Sequence, residues 1–274
     1  MSLASKLPWT HRFSGGYPGI GSQPLPTDAD AIDYLTRVAA ADGAGVEVGV
    51  ATAVDAFVAA LKADSLWESI GSSCLLCGPR TLAGALVPLR GDAPRPDGFA
   101  SGDYSRTSGL ADPNAVAYLD TNRANDADLQ EDNHIAAYAA VGEVATPTSY
   151  LIGAIQASSP LSATLAGYNM YNRSGSAGGS AASIATGLYA TSRNDVGFFS
   201  YIRASGSVET AVESSVESAG LSTNTFVFCF TNASGGPQNR TDATIAFYSV
   251  GSSLDLAKLD THITAYVAAI GAAI

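Results

Sequence analysis

Cys74 and Cys77 are separated by two residues, a spacing at which two thiolates can grip one soft metal ion or trade a disulfide. A structural zinc site needs four ligands, and the other candidates, Cys229, His11, His134 and His262, are scattered with no second pair. A redox pair belongs at a helix start, whereas Leu75 and Leu76 fill this one with apolar bulk. The stretch SCLLCGPRTLAGALVPL therefore reads as packing. Three cysteines, an odd number, also argue against a disulfide framework.

Hydrolytic chemistry has equally thin support. His134 follows Asp132 closely, and Ser101 or Ser105 could be set beside them as a nucleophile, but no GxSxG elbow is present. His134, at a strand start, reads as structural or surface, and His262 lies off the apolar stripe of a terminal helix and reads as solvated. Glycoside hydrolysis needs two carboxylates about 5–10 Å apart, and no spacing among the 25 acids picks out such a pair. Glu209, Glu213 and Glu217 recur every four residues in a solvated context. Asp120 to Asp128 gathers oxygen ligands as a calcium loop would, yet lacks the central Gly and closing Glu, and serves equally as an Asx-rich turn. No catalytic residue, metal or cofactor is assigned.

Binding chemistry is better represented. Asp103, Tyr104, Arg106, Tyr168, Tyr171, Asn172 and Arg173 place aromatic, carboxylate, amide and guanidinium groups near expected strand ends. Such mixtures recognise sugars, with a ring for C–H faces and planar polar groups for hydroxyls. Tyr and Arg are equally enriched where proteins meet. Asn172, Asn232 and Asn239 each open an N-x-S/T sequon, which carries no weight without a secretory signal.

The elements that must position these groups follow from pattern. Thr27 opens a helix with Asp30 as the reciprocal acid, and Ile32, Leu35 and Val38 give its face. A second helix runs from about Val46 to Lys62, and a short third passes Trp67 and Ile70 to Gly71. After the linker GDAPRP, about nine short strands rich in Val, Ile, Tyr and Phe alternate with Gly, Ser, Asn and Pro clusters, the pattern of a sandwich or jelly roll. The chain closes as a strand through Ile245, Phe247 and Val250, a break at Gly251, and a helix capped from Ser252, with Leu256, Leu259, Ile263, Val267 and Ile270 on one face. The fold expected is mainly β: an antiparallel jelly-roll sandwich with N-terminal helices and a docked C-terminal helix. Its parts are an arm at 1–26, a helical element with an apolar connector at 27–91, the sandwich at 92–251, and the closing helix at 252–274.

A formal net charge of −11 and a pI near 4.5 exclude binding nucleic acid by phosphate neutralisation. No run of residues approaches the length of a membrane span, and the first sixteen residues lack the apolar core of a signal peptide. Within residues 1–26, Trp9, Phe13, Tyr17 and Ile20 are apolar anchors among Gly and Pro. Such an arm lies along the body or reaches a neighbouring subunit.

The order WESIGSSCLLCGPRTLAGALVPL, SGDYSRTSGLADPNAVAYLDTNRANDAD and IAFYSVGSSLDLAKLDTHI resembles a module of tailed-bacteriophage virion proteins, often fibre-like. Within it, GLADPNAVAYLDTN and AFYSVGSSLDLAKL resemble the opening and closing strands of a laminin-G-like, concanavalin-A-type jelly roll. The resemblance covers roughly Asp28 to Ile270. It implies a non-enzymatic structural or attachment subunit of a virion, a tail fibre or a head or tail decoration protein, made in the host cytoplasm. Its partners would be other virion proteins and copies of itself, in a homo-oligomer such as a trimer. Trp9, Phe13, Tyr17 and Ile20 would attach it to the particle. The alternatives are an adhesin that binds a host-surface glycan and, behind it, a polysaccharide-degrading enzyme.

Overall fold

The computed structural model describes residues 25–141, 149–156, 159–167, 169–174, 177–179, 183–212 and 220–274. Four helices, α1 (Ala29–Asp42), α2 (Val48–Ala63), α3 (Leu82–Ala85) and α4 (Leu256–Ala273), accompany seventeen strands among these residues. The strands are β1 (Ile70–Leu75), β2 (Pro88–Arg90), β3 (Arg95–Asp97), β4 (Tyr104–Ser105), β5 (Gly109–Ala111), β6 (Tyr118–Ala124), β7 (Asn133–Val141), β8 (Tyr150–Gln156) and β9 (Ser159–Gly167). They continue with β10 (Tyr171–Asn172), β11 (Gly187–Arg193), β12 (Phe198–Ile202), β13 (Glu209–Val212), β14 (Asn224–Val227), β15 (Phe230–Asn232), β16 (Pro237–Gln238) and β17 (Thr244–Gly251).

Two sheets form a β-sandwich. The helix-side sheet runs β13-β12-β11-β7-β17-β1-β2, with β5 on β17 and β4 on β5. The outer sheet runs β10-β9-β8-β14-β6-β3, with β15 and β16 attached through β8. Every pairing is antiparallel except β15 with β8.

Two cores follow from the period-two alternation of the central strands. In β7, Ile135, Ala137 and Ala139 face the core between the sheets, while Ala136 and Tyr138 face the helices. In and just after β1, Cys74 and Leu76 face inward while Leu75 and Cys77 face the helices. The register of β17 shifts between Ile245 and Phe247, and across that shift Ala246 and Phe247 both join the helix-side core. The protein is thus layered helix, sheet, sheet.

The helices are built to cover that sheet. α1 buries Ala31, Tyr34, Leu35 and Val38, steps of three and four that line one face. α2 buries Val50, Val54, Phe57, Val58 and Leu61, and Phe57 meets Phe247 and Tyr266 with ring centroids 5.9 Å and 5.2 Å apart. α4 buries Leu256, Leu259, Ile263, Tyr266 and Ile270. No helix among the described residues is long and apolar enough to cross a membrane.

Several local expectations shift by a residue or more. Asp28, not Thr27, caps α1, because its carboxylate accepts from the N–H groups of Asp30 and Ala31. Asp255, not Ser252, caps α4 in the same way. The short third helix shrinks to a 3₁₀ turn, Trp67–Ser69, because Ile70 already pairs with Gly251 as the first residue of β1. The apolar alternation from Ala182 to Tyr189 predicts a strand there, and the strand lies instead at Gly187–Arg193. Residues 27–91 also contribute β1 and β2 to the sandwich, so strand structure begins before the GDAPRP linker. The arm residues Trp9, Phe13, Tyr17 and Ile20, with Tyr168, Glu213 and Glu217, lie outside the described residues.

Candidate functional site

The expected binding residues fall into two groups on different sheets. The first, Asp103, Tyr104 and Arg106, belongs to the β4–β5 hairpin and the turn before it. The Asp103 carboxylate accepts from the N–H of Ala100, closing its own turn. Tyr104 donates its hydroxyl to the carbonyl of Pro79 at 2.7 Å, and burial pushes its pKa well up. Arg106 donates to the carbonyls of Pro79 (3.1 Å) and Gly78 (3.2 Å) and forms a two-nitrogen ion pair with Glu47.

These contacts explain how the CGPRT turn survives without a β-ladder. Backbone groups removed from water need partners, and here side chains supply them. Tyr266 donates to the Cys77 carbonyl at 2.8 Å. Asp42 accepts from the N–H groups of Arg80 (2.7 Å) and Thr81 (2.9 Å). Arg80 joins Arg106 on Glu47, at 2.9 Å, and the Glu47 carboxyl lies below its ordinary pKa: burial opposes the shift, and the Arg106 hydrogen bond and charge outweigh it. The hairpin, α1, α2, α4 and the turn are therefore knotted together. Cys74 and Cys77 are wholly buried, and burial raises each thiol to about 12, which makes them poor nucleophiles and poor ligands.

The second group sits on β10, at the edge of the outer sheet. Tyr171 packs against Tyr150 and Phe230. Asn172 is buried; its amide donates to Thr191 at 3.3 Å and its carbonyl accepts from Arg193 at 2.9 Å. Arg173, also buried, donates to the carbonyls of Asp128 (3.1 Å) and Asn125. No hydrogen bond or ion pair joins the two groups among the described residues.

The oxygen-rich loop at Asp120–Asp128 is occupied by cations of the protein itself. Arg123 forks onto Asp128 at 3.0 Å and 2.5 Å, Arg173 takes the Asn125 and Asp128 carbonyls, and Arg95 lies 3.2 Å from Asp120. Guanidinium groups stand where a calcium ion would need those oxygens. Among the described residues no cluster of His, Cys, Asp and Glu has a metal-ligand arrangement.

His134 and His262, the two histidines among the described residues, are tied to carbonyl or carboxylate partners. His134 is buried, with Nδ1 2.6 Å from the Ser252 carbonyl oxygen and Nε2 2.9 Å from the Ser249 hydroxyl. Burial pushes its pKa down to about 4. Beside it, Asp132 accepts from the N–H and hydroxyl of Ser253, while Nδ1 of His134 is taken by the Ser252 carbonyl, so Asp132 does not orient the imidazole as a triad acid would. His262, expected to be solvated, instead lies 2.7 Å from Asp64, which also pairs with Lys258 at 3.0 Å. Glu209 accepts from Tyr201 at 2.6 Å and pairs with Arg203.

One arrangement has no counterpart in the sequence reading. Across the outer sheet, register aligns Tyr171, Leu165, Gly153, Phe226, Asp120 and Arg95 in one row. Leu119 and Val227 point into the core, so Asp120 and Phe226 belong to the opposite, outward face. Tyr118, on the same face, stacks on Phe226 with centroids 4.7 Å apart. Asp120 is oriented by the Asn224 amide (2.8 Å), the Asn122 N–H (2.9 Å) and Arg95. A ring beside fixed polar groups can receive a planar or sugar-like ligand edge-on. Only strand register assembles it, and spacing along the chain carries no trace of register. No family model, curated protein or solved structure matches this chain.

Proposed function

We propose that this chain is a non-enzymatic structural subunit of a tailed-phage particle, a tail-fibre or a head or tail decoration protein, working through protein–protein contacts. The observation that carries the reading is where the polar candidates go. Arg106, Tyr104, Asn172, Arg173 and His134 are spent on internal carbonyls, carboxylates and hydroxyls, while Val141, Val196, Phe198, Val208 and Val212 stand exposed. A protein that works by assembly needs rigid internal polar knots and apolar external surface. The resemblance of the quoted segments to virion modules supports the setting.

The test is incorporation. Purified protein should bind particles stripped of this subunit, and removing residues 1–26 should reduce incorporation at least tenfold. Failure of the intact chain to bind stripped particles would overturn the reading.

A second reading, a glycan-binding adhesin, is favoured by one observation: Tyr118 stacked on Phe226 beside Asp120, Asn224 and Arg95 on the outward sheet face. It requires saturable binding to host cells that is lost on Tyr118→Ala. Binding to cells unchanged by that substitution would remove this face from consideration.

A further inference from the structure

Among the described residues, Arg240 is the one arginine that the fold does not use. Arg37, Arg80, Arg90, Arg95, Arg106, Arg123 and Arg203 each face a carboxylate, and Arg173 and Arg193 are held by buried carbonyls. Arg240 is half-buried, yet its guanidinium has no hydrogen bond or ion pair among these residues, and its Nε is closed off from water. A charge drawn out of water with none of its N–H groups answered calls for a partner that the fold does not supply.

Backbone bonds set its place. The Tyr150 N–H donates to the Asn239 carbonyl at 3.2 Å and the Thr241 N–H to the Phe228 carbonyl at 3.0 Å, so Arg240 is held alongside the end of β14. There β14 runs antiparallel to β6 with Val227 opposite Leu119, which brings the residues after Val227 level with Tyr118. Asp112 accepts from the N–H of Ala117, directly before Tyr118, at 2.6 Å. Burial raises the pKa of Asp112 and of the Cys229 thiol, and the charge of Arg240 draws each back, so the guanidinium lies near both without bonding either.

The outward face of the outer sheet begins at this corner. Val116 is 59 % exposed. Tyr118, half-buried, stacks on Phe226, which is only 4 % exposed, so the phenol ring is the aromatic surface that meets solvent. Farther along the face, Asp120 and the Asn224 amide hold each other at 2.8 Å.

We propose that Arg240 and Tyr118 form a subsite for a sugar ring that bears a carboxylate, a uronic acid unit. The inference rests on the glycan-binding reading above and names its ligand class. A guanidinium meets a carboxylate with two parallel N–H bonds, and the phenol face receives the C–H groups of the ring. The charges of Asp97 and Asp120 act on Tyr118, and the whole chain carries −11, so a densely charged polyanion is repelled. One carboxylate on an otherwise neutral ring is what a single unpaired cation can take.

The test titrates the full-length protein with methyl glucuronide and with methyl glucoside, which lacks the carboxylate, by ligand-observed NMR. The glucuronide should bind about tenfold more tightly. Arg240→Gln should remove that preference without moving the denaturation midpoint, because the guanidinium bonds nothing in the fold. Tyr118→Ala should weaken both probes. Binding of neither probe, equal binding of the two, or a preference that survives Arg240→Gln overturns the inference. A lowered midpoint in Arg240→Gln does so too, since the guanidinium would then serve the fold. If light scattering shows an assembly that dissociates in Arg240→Gln, the cation answers a neighbouring chain's carboxylate and the sugar subsite falls. Host-cell binding that is lost in Tyr118→Ala but kept in Arg240→Gln would sustain the glycan reading and overturn this inference alone.

Discussion

The Nδ1 atom of His134 lies 2.6 Å from the carbonyl oxygen of Ser252, 118 residues along the chain. A carbonyl only accepts, so Nδ1 carries the proton, and Nε2, 2.9 Å from Ser249, accepts the serine hydroxyl. The imidazole is neutral and pins the start of β7 to the turn between β17 and α4. A second proton on Nε2 would turn the Ser249 hydroxyl from donor to acceptor and put a charge in a buried site.

That site makes stability pH-dependent. Burial lowers the His134 pKa from 6.5 to about 4 in the folded protein. The unfolded chain therefore binds a proton first as pH falls, and stability is full above about 6.5 and declines toward 4. The difference between 6.5 and about 4 corresponds to about 3–4 kcal/mol at most. Chemical denaturation at pH 7 and 4.5 should show this decline, and His134→Gln should flatten it; equal slopes in both proteins would refute the assignment.

Arg106 separates an internal role from a ligand-binding one. Arg106→Ala removes the fork on Glu47 and the bonds to the Gly78 and Pro79 carbonyls, and should cost about 2–3 kcal/mol. Arg106→Lys should recover less than half, because an ammonium cannot serve both carbonyls and the carboxylate at once. Unchanged denaturation midpoints would mean that the guanidinium faces a ligand rather than the fold.

Phe57 joins α2 to β17 and α4 through Phe247 and Tyr266. Phe57→Ala should cost about 3–5 kcal/mol, the range for a large buried aromatic. Thermal unfolding reads this directly, and a shift of only a degree or two would show that the helical layer packs without it.

The three thiols should be silent in the native state. Cys74, Cys77 and Cys229 are buried, with pKa values raised by burial to about 12. A thiol reagent at pH 8 should label none of them before denaturation and all three after. Rapid native labelling of Cys74 or Cys77 would reopen the redox reading of the CxxC pair.

Sequence alone reveals the sandwich class and the closing strand and helix, because their signals are local: alternation through Ile245 to Val250, and steps of three and four from Leu256 to Ile270. It also places α1, though by one residue wrongly, since Thr27 and Asp28 are both good caps and only geometry chooses. What escapes it is contact between distant segments. His262 reads as solvated until Asp64, 198 residues away, is placed beside it. Arg173 reads as a ligand group until the Asn125 and Asp128 carbonyls close around it. The exposed pair Phe198 and Val212 becomes a surface only once register sets them opposite each other.

β1 lies between β2 and β17, and α2 packs against α4, so the earliest strand and the second helix both wait for the last thirty or so residues. While the chain is still on the ribosome, the apolar face of α2 and one edge of β1 have no partner. Such long-range pairing folds slowly. A chain released before Thr244 would keep that surface open and be exposed to chaperones and proteases. A chain without β17 and α4 would leave both layers unclosed, so the topology makes the first folded segments depend on this strand and helix.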